Sequence, residues 1–203
     1  MNSYFLPLFT KLHDFSYPRR GPQKCFFYSY PRNHVSATGL LISYYNRKKQ
    51  QKILLVKEKR NDRTSFADLG GRIHTEDKCI FDALAREAWT KSETRLFGRD
   101  TELDEFKQLL KTCLMNATTK LIYVPSAKYL LVSVRCDSRL PEECAAVAQA
   151  SLQKSDTERI EREFFWGRPQ EIKTLLKRKS INPRIEAALM KMLYIGTPPR
   201  AIT

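Results

Sequence analysis

Apolar positions along the chain recur with two periods, and these set the expected elements. From Val35 to Tyr45, and again from Lys52 to Lys59, β-branched, aromatic and leucine residues form strand-like runs. The basic stretch Asn46-Arg47-Lys48-Lys49-Gln50-Gln51 between them predicts a hairpin. Strand alternation must bury one of Tyr44 and Tyr45 and expose the other. A further strand-like run, Phe66-Ala67-Asp68-Leu69, leads into Gly70-Gly71. Ile80, Leu84 and Ala88 then recur every four residues, which predicts a helix with one inner face. Glu102 to Leu114 reads as a second helix, and Thr119 to Val124 and Lys128 to Arg135 as strands joined by Pro125-Ser126-Ala127. The alanine-rich stretch Pro141 to Lys154 reads as another helix, with acidic residues at its positive end. Glu161 to Trp166 reads as a late strand and Pro169 to Lys177 as a short helix. Ile181-Asn182-Pro183-Arg184 turns into a final helix whose apolar residues are Ile185, Leu189, Met192 and Leu193. Before all of these, Pro18, Gly21, Pro22 and Pro31 among aromatic residues suggest an irregular arm, with Cys25 to Tyr30 as an edge strand.

Composition narrows the class. A chain of 203 residues supports one substantial core with extensions, not two full domains. No apolar run approaches the ~20 residues that a bilayer span needs. The broken start from Met1 to Leu12 does not read as a signal peptide. Five scattered cysteines without metal-ligand spacing read as free thiols in a reducing compartment, so an intracellular location, cytoplasmic or nuclear, is expected. Thirty-six Lys and Arg against 22 Asp and Glu give a formal charge of +14, which favours an anionic partner such as a nucleotide or RNA.

The chemistry sits in Gly70-Gly71-Arg72-Ile73-His74-Thr75-Glu76-Asp77 and, after a short apolar-patterned run, Ala85-Arg86-Glu87-Ala88-Trp89-Thr90-Lys91-Ser92-Glu93. This stretch, 70–93, resembles the Nudix box: Gly71, Arg86, Glu87 and Ala88 match, with one extra residue between Gly71 and Arg86. The family's Glu-Glu pair falls on Thr90 and Lys91, and its late glycine on Glu93. The resemblance extends from about Val35 to Leu193, since a late strand ending in an aromatic, a proline-started helix and an Asn-Pro-Arg turn into a last helix also match. It implies an α/β fold, an α/β/α sandwich with a mixed sheet. Residues 1–33 would form an N-terminal arm or edge strand and 34–203 the domain, with a helical insertion at 139–156.

In the family, three carboxylates share one helix face and hold Mg²⁺ or Mn²⁺, which activates water against a diphosphate. Here that face carries Glu87, Thr90 and Lys91, so its formal charge is zero. Glu87 is the one retained candidate for catalysis and metal binding; alternatively it pairs with Lys91 at i+4. Glu76, Asp77, Glu93, Glu158, Glu161 and Glu163 are further candidate ligands, each with an ordinary surface charge as its plain alternative, and His74 reads as a loop histidine. Gly70, Gly71 and Arg86 are the structural box residues; the resemblance implies that Arg86 holds the loop before the helix through a carboxylate and backbone. Arg47, Lys48, Lys49, Lys57, Lys59, Arg60 and Arg63 form two basic clusters that would attract a phosphate backbone if they shared an edge. The expected function is a nucleotide- or RNA-binding protein derived from diphosphate hydrolases, with a degenerate metal site, little or no catalysis and room for a protein partner. The alternative is an active Mg²⁺- or Mn²⁺-dependent hydrolase of a nucleoside diphosphate-linked substrate such as capped RNA.

Overall fold

The computed structural model describes residues 19–21, 24–29, 33–60, 63–92, 96–97, 101–136 and 160–194. The expected helix within 139–156 lies outside them, as do Glu93 and Glu158. In the N-terminal region β1 (Arg19–Gly21), β2 (Lys24–Ser29) and β3 (Asn33–Val35) form an antiparallel three-stranded sheet, with Arg20 opposite Cys25 and Phe27 opposite Val35. An irregular arm with one edge strand is therefore too simple a description.

The main sheet has seven strands: β4 (Ala37–Tyr45), β5 (Gln51–Arg60), β6 (Arg63–Ala67), β7 (Leu69–Arg72), β8 (Thr118–Val124), β9 (Tyr129–Cys136) and β10 (Ile160–Gly167). Its backbone order is β10-β5-β4-β9-β8; β4 and β9 run parallel and the other pairs antiparallel, so the sheet is mixed. The hairpin strands β4 and β5 stay together only from Ser43–Ile53 to Tyr45–Gln51. Beyond that they part, and residues 63–72 fill the gap. There β6 pairs with β5 from Val56–Ala67 to Arg60–Arg63, and β7 pairs with β4 from Leu40–Leu69 to Ala37–Arg72. Asp68 is the single residue at which this segment changes partner.

The central strands are apolar on both faces, as strands covered on both sides must be. Leu40, Ile42, Tyr44, Leu54 and Val56 pack with α1 (Ile80–Lys91) and α2 (Leu103–Asn116). Their neighbours Leu41, Ile53, Leu55 and Leu131 point the other way and pack with α3 (Pro169–Lys177) and α4 (Pro183–Tyr194). Period-two alternation thus becomes two cores with one sheet between them, the α/β/α sandwich with a mixed sheet that the resemblance implies. As expected, Tyr44 is buried, edge-on to Trp166, while Tyr45 is 53% exposed. Backbone bonds from Phe66 to Ser180 and from Asn182 to Phe66 cover the outer edge of β6. Asn182 then accepts the Arg184 N–H at 3.1 Å, capping α4 ahead of Pro183. Among the described residues no helix is long and apolar enough to cross a membrane.

Candidate functional site

Strand β7 ends the glycine pair at Arg72, a seven-residue connection follows, and α1 begins at Ile80. Five N–H donors in a rigid plane suit Arg86 to gather this loop. Its Nε and Nη2 donate to the two Asp77 carboxylate oxygens at 2.9 and 2.8 Å, and Nη2 also reaches the Arg72 carbonyl at 2.8 Å. Nη1 donates to Glu87 Oε1 at 2.7 Å. Asp77, 8% exposed, in turn accepts the His74 N–H at 2.7 Å. Burial opposes the charge on Arg86, but Asp77 and Glu87 outweigh it and hold its pKa above the ordinary value. Arg86→Lys, which keeps the charge but cannot span these partners, is expected to cost about 2 kcal/mol. Urea unfolding measures that loss, and hydrogen exchange should rise at residues 73–79. Wild-type stability with unchanged exchange would deny Arg86 this role.

Glu87 lies against Gly71, where any added Cβ would strike its carboxylate, with Oε1 only 2.6 Å away. The i+4 pair with Lys91 is not formed. Lys91 instead donates to Glu58 on β5 at 2.9 Å, and Arg162 on β10 approaches the same carboxylate at 3.5 Å. The reason is local competition: Arg86 already holds Glu87, and β5 presents Glu58 to the end of α1. Burial pushes the Glu58 carboxyl up, yet Lys91 and Arg162 prevail and hold it below the usual carboxylate range.

On the α4 side of the sheet lies a second polar group. Tyr129 donates its hydroxyl to Asp68 Oδ2, and Asp68 Oδ1 is buried without a hydrogen-bond partner. The Arg184 guanidinium sits 5.4 Å from the Tyr129 ring centre and approaches the Gly70 carbonyl at 3.4 Å. Burial pushes the Asp68 carboxyl up to about 6, against the Tyr129 bond and the charges of Arg184 and Lys91. Burial, then Asp68, raises Tyr129, so its hydroxyl stays a neutral donor.

The remaining candidates do not converge here. Asp77 is committed to Arg86, and Glu76 is exposed on the loop, where it accepts the Thr75 hydroxyl at 2.6 Å. Glu163 pairs with Lys57 at 2.8 Å, and Glu161 lies opposite Lys59 in the β5–β10 register. Mg²⁺ or Mn²⁺ needs several oxygen ligands in one place. The box face offers one carboxylate, already engaged by Arg86, with a lysine one turn on, and no group of three metal-ligating side chains occurs among the described residues. The described residues of this face do not fit the metal.

The basic clusters do not share an edge. Arg47, Lys48 and Lys49 are exposed at the β4–β5 turn, which Asn46 braces by accepting the Lys48 and Gln50 N–H groups. Lys59, Arg60 and Arg63 lie at the opposite end of the ten-residue strand β5. At about 3.3 Å per residue the two ends are roughly 30 Å apart. Sequence reasoning missed Glu58, Asp68, Tyr129, Arg162 and Arg184 as members of this region. Only Asp68 carried a signal, a lone charge in an apolar strand pattern.

No family model matches the chain, and no curated protein matches it. Among solved structures it is similar to a Nudix hydrolase from M. smegmatis, RenU, with 12% identity over 84% of this chain and 94% of that one, at a TM-score of 0.43. It is also similar to a C. elegans Ap4A hydrolase binary complex, with 11% identity over 78% of this chain and 94% of that one, at a TM-score of 0.38. Likeness this loose assigns no family.

Proposed function

We propose that this chain is a Nudix-fold nucleotide- or RNA-binding protein, derived from diphosphate hydrolases, whose metal site is degenerate and whose catalysis is lost. The observation that carries the reading is the Gly71–Arg86–Glu87 arrangement with Lys91 engaged one turn further on. Gly71, Arg86 and Glu87 stand at near-family spacing, and Glu87 meets both of the others, which supports descent from that family. The same face supplies one carboxylate where metal chemistry needs about three, and a cation beside it. Incubation with capped RNA, coenzyme A and dinucleoside polyphosphates in Mg²⁺ or Mn²⁺ tests this: binding without turnover is expected. Metal-dependent hydrolysis that Glu87→Gln eliminates in a folded protein would make the chain an active divergent hydrolase instead.

For RNA, the turn bearing Arg47, Lys48 and Lys49 supplies charge, and exposed Tyr45 beside it supplies a stacking face. Affinity for single-stranded RNA should fall steeply with salt. Changing all three basic residues to serine should weaken it across sequences and flatten the slope of log affinity against log salt by about 2. An unchanged slope in a fluorescence titration would remove this turn from RNA binding.

A further inference from the structure

We propose that Lys91 is a tethered cation that takes the place of the divalent metal, so that the site binds the phosphate chain of a nucleotide directly and without metal. This deepens the nucleotide-binding reading above and rests on it. The Lys91 side chain is only 13% exposed, and it projects from the helix position four residues after Glu87. Its charge acts on two carboxylates, Glu58 on β5 by direct contact and Asp68, between β6 and β7, at longer range. A divalent ion entering here would meet an ammonium already in place, and repulsion between like charges at a few ångströms is severe away from bulk water.

A phosphate meets the opposite situation. An ammonium has three N–H donors, and Glu58 accepts one of them. When Lys91 turns to a phosphate oxygen, Glu58 keeps Arg162, whose Nε is already 3.5 Å away, so the part-buried carboxylate is not left alone. Three elements, α1, β5 and β10, thus converge as two cations on one carboxylate. Glu58 acts as the positioning residue that aims Lys91 and competes with the ligand for it.

The opposing roles of Lys91 and Glu58 give a test that a simple structural ion pair would fail. The full-length protein is titrated with a fluorescent ADP analogue in excess EDTA and in millimolar Mg²⁺, and all variants are checked for folding by thermal melting. Wild-type affinity is expected to be equal in the two buffers. Lys91→Gln should weaken binding about tenfold in both, since one charged hydrogen bond is lost, while Lys91→Arg retains binding. Glu58→Gln, which removes a competing anion and frees the ammonium, should tighten binding. Should Lys91→Gln not fold, Lys91→Arg and Glu58→Gln still decide the matter. Binding that appears only with Mg²⁺, or that weakens in Glu58→Gln, overturns the tethered-cation role and leaves the nucleotide reading standing. No binding in either buffer overturns both.

Discussion

Asp68→Asn is expected to stabilise the protein at neutral pH and to remove a large part of its pH dependence. Asp68 is 1% exposed and has one orphaned oxygen, so its charged form loses hydration that a single Tyr129 hydrogen bond does not replace. A carboxyl raised from 3.8 to about 6 binds its proton more tightly when folded than when unfolded. Between those values the folded state therefore holds more protons, and stability falls as pH rises. The full loss, about 3 kcal/mol, is reached above pH 6 and is absent below pH 4. Asparagine keeps an acceptor for the Tyr129 hydroxyl and carries no charge. The difference in unfolding free energy between variant and wild type should therefore move by about 3 kcal/mol in favour of the variant from pH 4 to pH 7.5. Glu58 has the opposite sign: its lowered carboxyl contributes stability above the unfolded value, and this is lost on acidification. Because Glu58 is common to both proteins, it cancels in the difference. Urea unfolding at the two pH values decides, and a pH-independent difference would sink the assignment.

The position of Asp68 also shows why the sequence was legible in part. Among the described residues the runs with a clear period became elements: the two halves of the hairpin, the Ile80–Leu84–Ala88 helix, the second hairpin and the helices begun by Pro169 and Pro183 formed where expected. Periodicity reports which face of an element is buried, and that depends only on neighbours along the chain. It does not report which strand lies alongside. Phe66 to Leu69 was readable as strand, but its change of partner from β5 to β4 at Asp68 depends on where β4 and β5 diverge. Charges were harder still. Lys57-Glu58-Lys59-Arg60 has the composition of a solvated run, and nothing local distinguishes Glu58, which receives Lys91 from a helix 33 residues away. The i+4 rule pointed Lys91 at Glu87, but Arg86 from the same helix already holds Glu87, and β5 presents Glu58 to Lys91 instead.

Gly70→Ala should be the most damaging single-methyl addition in the region, and the sheet register explains why. Gly70 on β7 stands directly opposite Gly39 on β4, and the absence of both side chains clears a notch on the α4 side of the sheet. The Tyr129 hydroxyl fills that notch. A Cβ on Gly70 would lie 2.5 Å from the Gly39 Cα and 2.6 Å from the Thr38 carbonyl oxygen, besides striking the Tyr129 hydroxyl. Two of these three obstacles are backbone of β4, which is bonded to β7 on one side and to β9 on the other, so neither can yield without opening the sheet. Tyr129 is itself fully buried and tied to Asp68. The expected loss is about 3 kcal/mol, the upper end for overpacking a rigid core. Gly71→Ala provides the internal comparison. Its Cβ would meet the end of the Glu87 side chain, which can swing away at the cost of its Arg86 bond, so a loss of about 1 kcal/mol is expected. Urea midpoints for the two variants, measured at one pH, should differ accordingly. Equal losses, or a Gly70→Ala protein as stable as wild type, would mean that β4 and β7 are not in the register that sets Asp68 and Tyr129 together.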